Sequence, residues 1–318
     1  MASRGRGAAM RSLGVLLALA GTASAEPAII GGTAAKVGDF PTVVAIEVGQ
    51  GLCTGTLVDP EWVLTAAHCL VPSIVGSPDL PSLVASIRVV FGSIDVTKTG
   101  GKVIKASEVF GDPMFNVASL GHFDIGLIHL ASSYDDTAPT PINFDAGAAP
   151  VGLTVTMVGF GTTVAGNTSL AGAEFMVSSE VSEPCANVPA GMGLPALSDG
   201  NVLCFDQTNG KGKCEGDSGG PSFAMIGGVQ TIVGTTSFGD QNCAMFGVDT
   251  RTDIEHDFLA SHLPGIDGGG CCDAGRGGGS TALLGIGLVA LALRRRRQAT
   301  NAGARTRGAL RASRGDAG

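Results

Sequence analysis

Gly212-Lys213-Cys214-Glu215-Gly216-Asp217-Ser218-Gly219-Gly220-Pro221 is the stretch that decides how the rest of the chain is read. A serine set between an aspartate and two glycines suits a nucleophile held on a tight turn. Glycine lets the backbone take dihedrals closed to other residues and lets a substrate carbonyl approach closely. The N–H groups of Gly216 and Ser218 are left able to converge on one point, as an oxyanion requires. Taken alone, the same letters also describe a glycine-rich surface turn with a passive serine. Partners elsewhere in the chain decide between the two.

Thr65-Ala66-Ala67-His68-Cys69 supplies a candidate base. His122, His129, His256 and His262 take the default reading of structural or solvated histidines. His68 differs, because it sits among small residues beside a cysteine, with Cys53 upstream to staple the loop. Phe123-Asp124-Ile125-Gly126-Leu127-Ile128 puts a carboxylate at the mouth of an apolar strand. Such a group costs several kcal/mol unless hydrogen-bonded, and an imidazole N–H could supply the bond.

With these three motifs in the order His, Asp, Ser, the chain resembles the trypsin/chymotrypsin family of serine endopeptidases over residues 29–262. The resemblance implies an all-β fold of two packed antiparallel six-stranded β-barrels with a short C-terminal helix. His68 and Asp124 would come from the first barrel and Ser218 from the second. It also implies a mechanism. Ser218 attacks the scissile carbonyl, His68 takes its proton and later gives it to the leaving amine, and Asp124 orients His68. Gly216 and Ser218 would hold the oxyanion, each donor worth about 3–4 kcal/mol. Ser237 matches the serine that supports the triad aspartate. Cysteine pairs Cys53–Cys69, Cys185–Cys204 and Cys214–Cys243 follow from the resemblance; sequence alone leaves fifteen connectivities open. No cofactor is implied. The rival from another class is a protease-like binding protein without catalysis.

In this family a freed Ile-Ile-Gly-Gly terminus, here Ile29-Ile30-Gly31-Gly32, inserts and pairs with the aspartate before the nucleophile, Asp217. Ala28 precedes it where Lys or Arg is usual, so an activating protease of another specificity, or trimming behind the signal peptidase, is required. The primary specificity pocket is the least legible part. Its floor position is Gly212, not the aspartate that selects Arg and Lys. Gly239 and Gly247 fall on its walls, leaving the entrance open to a large side chain. Lys213 follows Gly212, and Asp249 stands where an aromatic residue is common. Unpaired and inward, Lys213 would favour acidic side chains; paired with Asp249, uncharged ones; or it could snorkel to solvent. The pair is favoured, because an unpartnered buried ammonium is costly.

The 318 residues and 44% hydrophobic content provide core for one large domain or two small ones. Abundant glycine and scarce aromatics favour β structure and turns. Net charge is −8, yet residues 29–262 carry 8 Lys and Arg against 24 Asp and Glu, a balance of −16. An acidic body argues against nucleic acid as a partner and leaves protein or peptide substrates. A zinc site would be the other use of the body cysteines, but no C-x-x-C pair supports one.

Residues 1–25 read as a secretory signal, with Arg4, Arg6 and Arg11, a short apolar run, and Ala23-Ser24-Ala25 for cleavage. Residues 26–28 form a short pro-segment, and export fits paired cysteines. In the body, β-prone runs are read at 42–48, 54–58, 62–66, 87–91 and 125–130, then at 154–159, 173–179, 201–205, 221–225 and 229–237. Residues 70–86 read as a lengthened surface loop. Thr252-Asp253-Ile254-Glu255 reads as a capping box opening a helix with Ile254, Phe258 and Leu259 inward. Beyond the 29–263 protease domain comes a glycine-rich linker, 264–280, carrying Cys271-Cys272. A short apolar segment with an arginine cluster, 281–297, and a basic tail, 298–318, complete the chain. This end resembles the sorting tails of myxobacterial surface proteins, implying envelope association and processing at the cysteines; a simple tail anchor or a disordered appendage are the other readings.

Overall fold

The structure, a computed structural model, describes residues 29–117, 122–182 and 200–266. These belong to the first of two compact units, Met1–Gly268. The expected signal and pro-segment, Cys185 and the tail from residue 267 lie outside the described residues.

Six strands close the first barrel: β2 (Val43–Val48), β3 (Gly51–Asp59), β4 (Trp62–Thr65), β5 (Arg88–Phe91), β6 (Lys102–Gly111) and β7 (Gly126–Leu130), in the order β2-β3-β4-β7-β6-β5. Six more make the second: β8 (Thr154–Gly159), β9 (Phe175–Ser182), β10 (Val202–Asp206), β11 (Pro221–Ile226), β12 (Val229–Gly239) and β13 (Phe246–Arg251). Their order is β9-β10-β13-β12-β11-β8, with β8 paired back to β9. A two-residue strand, β1 (Thr33–Ala34), adds to the start of β9, with Thr33 opposite Met176. All pairings between these strands are antiparallel.

The reason β2 is apolar almost throughout lies in the packing. Successive side chains point to opposite faces. Val44, Ile46 and Val48 fill the first barrel with Leu57, Val63 and Phe91. Val43 and Ala45 face outward into a second cluster, where Leu64, Ile125 and Leu127 meet Val158, Phe160, Phe223 and Ile232 of the second barrel. That shared apolar layer fixes how the barrels sit, and the site lies along it.

Three expectations are corrected. The 70–86 stretch is not plain loop, because it forms α1 (Pro72–Val75) and α2 (Leu80–Ser86). Asp79 caps α2 by accepting the Ser82 N–H at 2.8 Å, and Pro81 sits in its first turn, where a missing N–H costs nothing. The Pro and Ser residues are therefore helix-start signals. At the other end, α3 (His256–Ala260) has no capping box. The Thr252 hydroxyl donates instead to the Asn143 and Ile232 carbonyls, tying the chain to the second barrel. Ile254 precedes the helix and is 37% exposed, while Phe258 and Leu259 pack inward. Strands β6 and β13 were not foreseen. Most of β6 is exposed, and β13 carries a buried Asp249 that strand propensity disfavours.

Polar bonds also join the barrels, and Thr54 on β3 makes three of them. Its hydroxyl donates to the Gly216 carbonyl (2.9 Å) and accepts the Phe160 N–H (3.0 Å). Its own N–H donates to the Ser218 carbonyl at 2.8 Å. Thr54 is fully buried, so losing the hydroxyl strands a donor and an acceptor at about 1–3 kcal/mol each. Thr54→Val should lower stability by about 2–4 kcal/mol, read as a shift of the denaturant midpoint at unchanged slope. A shift below about 0.5 kcal/mol would show that the joint is not held this way.

Candidate active site

His68 sits on a single 3-10 turn, Ala67–Leu70, immediately after β4. Asp124 precedes β7 and is wholly buried. One carboxylate oxygen accepts the His68 backbone N–H at 2.9 Å, and the other lies 2.8 Å from His68 Nδ1. That second oxygen also accepts the hydroxyl of Ser237 from β12. Thr250 on β13 donates its hydroxyl to the Asp124 carbonyl at 3.2 Å. Two residues of the second barrel thus hold an aspartate of the first, Ser237 among them.

Ser218 is brought to the same place by the glycine after it. Gly219 has φ +80°, and a Cβ there would lie 2.1 Å from Thr65 Oγ1, 2.5 Å from the Thr54 carbonyl oxygen and 2.7 Å from the Ala66 nitrogen. Only glycine lets the Ser218 turn press against the strand end that leads into His68. The Cys69 sulfur lies 3.8 Å from the Ser218 carbonyl oxygen. Among the described residues, the N–H groups of Gly216 and Ser218 donate to no protein acceptor. Disulfides Cys53–Cys69 and Cys214–Cys243 are formed and staple the two loops. Cys204 is disulfide-bonded too, but its expected partner Cys185 is outside the described residues.

A cavity of about 280 Å³ opens beside Ser218, lined by Lys213, Cys214, Glu215, Ser237, Phe238 and Gly239 among others. Lys213 and Asp249 are an ion pair, both nearly inaccessible. Ser222 on β11 completes the group, donating to Asp249 Oδ2 (2.6 Å) and accepting from Lys213 Nζ (3.0 Å). Burial holds the Lys213 ammonium below the usual lysine range, and Asp249 opposes that shift. Lys213 and Gly239 of the expected specificity pocket line this cavity, whereas Gly212, Gly247 and Asp249 do not.

Asp217 is 1% exposed and accepts N–H bonds from Gly161 and Cys214, both 2.8 Å. Burial nevertheless outweighs those bonds and pushes its carboxyl up to about 7. The Ile29 side chain is already inside, packed against Met157 and Phe205, and the Ile30 carbonyl accepts the Gly212 N–H at 3.0 Å. Cys53–His68–Cys69 and Cys214–Glu215–Cys243 bring potential metal-ligand atoms together, but their sulfurs are spent in disulfides and offer no thiolate.

Thr54, Gln207, Ser222 and Thr250 are the contributors that sequence reasoning missed. Each is a lone polar residue in or beside a strand, bonded to partners distant in sequence or hidden by a loop. No motif marks them.

The sequence profile described as Trypsin matches residues 29–257. The chain is 32% identical to the protein named trypsin from Saccharopolyspora erythraea over 252 residues, covering 74% of this chain and 98% of that one. It is 30% identical to brachyurin from Leptuca pugilator over 222 residues, 66% of this chain and 86% of the relative. Against human serine protease 56 the identity is 29%, and the match spans 74% of this chain but 38% of that protein. The chain belongs to the trypsin family of serine endopeptidases.

Asp217 generates a pH prediction for the uncleaved chain. An unfolded aspartate titrates near 4, so between about 4 and 7 the folded chain holds a proton that the unfolded chain has lost. The contribution of Asp217 to stability is complete below that window and falls away as pH rises through it. Glu174 and Glu255, both buried and pushed up to about 8 by burial, add falls of the same sign. In a Ser218→Ala background, adding Asp217→Asn should reduce the decline between pH 4 and 7 by about 1.4 kcal/mol per pH unit at most. Identical slopes in chemical denaturation at several pH values would contradict the assignment.

Proposed function

We propose that Ser218 is the nucleophile of this endopeptidase, His68 its general base and acid, and Asp124 the group that orients His68 and stabilises its imidazolium. The N–H groups of Gly216 and Ser218 receive the oxyanion of the tetrahedral intermediate. The observation that carries this reading is the buried Asp124 carboxylate, which is bonded to both nitrogens that His68 can turn towards it and to Ser237. Such a bond leaves Nε2 free to face Ser218. The acyl-enzyme is then hydrolysed by water through the same base.

Substrates are proteins or peptides. With Lys213 and Asp249 neutralising each other, the pocket favours uncharged side chains on the acyl side of the cut and not Arg or Lys. An organophosphonate serine probe should label the matured protein once, on Ser218. Ser218→Ala should abolish labelling and lower kcat by about a million-fold. A folded, matured protein that never labels would overturn the reading.

Activation follows from Ile29. Its φ is +47°, a left-handed value that a β-branched residue adopts only under strain. Cleavage before Ile29 removes the carbonyl that defines this torsion, releasing the strain and freeing an ammonium to neutralise Asp217. The activating enzyme cuts after Ala28. The disulfides fit an oxidising, extracytoplasmic location, and the 267–318 tail is read as a sorting or anchoring segment. Among the described residues no helix is long and apolar enough to cross a membrane. N-terminal sequencing of active material should begin at Ile29, and deleting residues 271–318 should move the protein from the cell fraction to the medium. Full activity with Glu26-Pro27-Ala28 attached, or unchanged fractionation, would refute the respective half.

A further inference from the structure

Gly212 and Gly247 look in sequence like the open floor and wall of a wide pocket, yet the space their side chains would occupy is filled. Gln207, just beyond β10, is 1% exposed. A Cβ on Gly212 would lie 2.1 Å from Gln207 Cδ and from its Oε1. A Cβ on Gly247 would lie 2.5 Å from the same Oε1. Both glycines are therefore spent on making room for one glutamine amide.

That amide is fixed in place. Gln207 Oε1 accepts the Lys213 N–H at 2.8 Å, and Nε2 donates to the Lys213 carbonyl at 3.2 Å. The Gln207 backbone N–H donates to the Met245 carbonyl at 3.1 Å. Swinging the side chain aside would break both amide bonds and leave buried polar atoms unpaired, which costs more than the bonds themselves contribute. The cavity beside Ser218 is lined by Lys213 but by neither Gly212, Gly247 nor Gln207, so the volume that Gln207 fills lies outside it.

We propose that Gln207 plugs the lower half of the primary specificity pocket and restricts cleavage to sites after small uncharged side chains, of the size of alanine, serine or valine. This rests on the endopeptidase reading above and adds a size limit to it. Gln207 acts by occupying volume and by holding Lys213 in register with Asp249. A phenyl or indole ring entering the pocket meets the Lys213 segment, which the fixed Gln207 amide backs and keeps from giving way. Pocket discrimination of this kind is worth about 10–200-fold per unaccommodated methylene-sized group.

The test uses the matured enzyme and peptide amides that differ only at the residue before the scissile bond: Ala, Val, Leu and Phe. Wild type should show kcat/KM falling at least tenfold from Ala to Phe. Gln207→Ala should raise the Phe-to-Ala ratio at least tenfold, whereas Gln207→Met, which keeps the length and loses the amide bonds, should keep the wild-type order. A wild type that prefers Phe to Ala, or an unchanged ratio in a labelling-competent Gln207→Ala, would overturn the plug. If Gln207→Ala fails to fold, the wild-type series and the Met variant still decide. Active-site titration with a small organophosphonate is run on every sample. Absence of titratable serine in wild type would sink the endopeptidase reading itself, whereas normal titration with no size preference would sink the plug alone.

Discussion

Asp124 is a carboxylate without solvent access, and the rest of the structure answers to it. An ionised carboxylate cannot be buried unless its oxygens are bonded, since desolvation costs several kcal/mol even after relaxation. The first barrel supplies the two His68 contacts; the second supplies Ser237, and Thr250 fixes the backbone. The charge is satisfied only when the barrels are docked. Docking and assembly of the site are thus one event, and breaking either side would leave an uncompensated buried charge at about 3–5 kcal/mol.

The same logic governs the second barrel. Lys213 and Asp249 are buried together because neither could be buried alone, and Ser222 takes up the remaining bonding capacity of the pair. Asp217 is the exception, a buried carboxylate with no cationic side chain bonded to it among the described residues. Two backbone N–H groups do not offset its burial, and the proposed cut before the strained Ile29 would supply the missing charge. The acidic surface is a separate matter of solubility and of partner choice.

What was legible in sequence was what chemistry fixes by type and spacing. The two barrels stand as expected, two disulfides are formed, and the structure sets His68, Asp124 and Ser237 in contact and pairs Lys213 with Asp249. What was not legible depends on contacts across the fold. Thr54 bonds residues more than a hundred positions away, so nothing around it announces its role. Gly212 and Gly247 were read for the space that glycine leaves, but Gln207, from another loop, takes that space. The capping box at Thr252 failed because tertiary acceptors outcompeted the local one. Strand β6 escaped because a mostly exposed strand carries little apolar alternation.

In the proposed mechanism Ser218 becomes covalently acylated through a base held by Asp124. Pre-steady-state reaction of the matured protein with an activated ester tests it most directly, followed by acid quench and peptide mass mapping. A burst approaching one equivalent, with the acyl group on the peptide containing Ser218, is the predicted result. A linear time course with no adduct, or an acyl group on another residue, would contradict it.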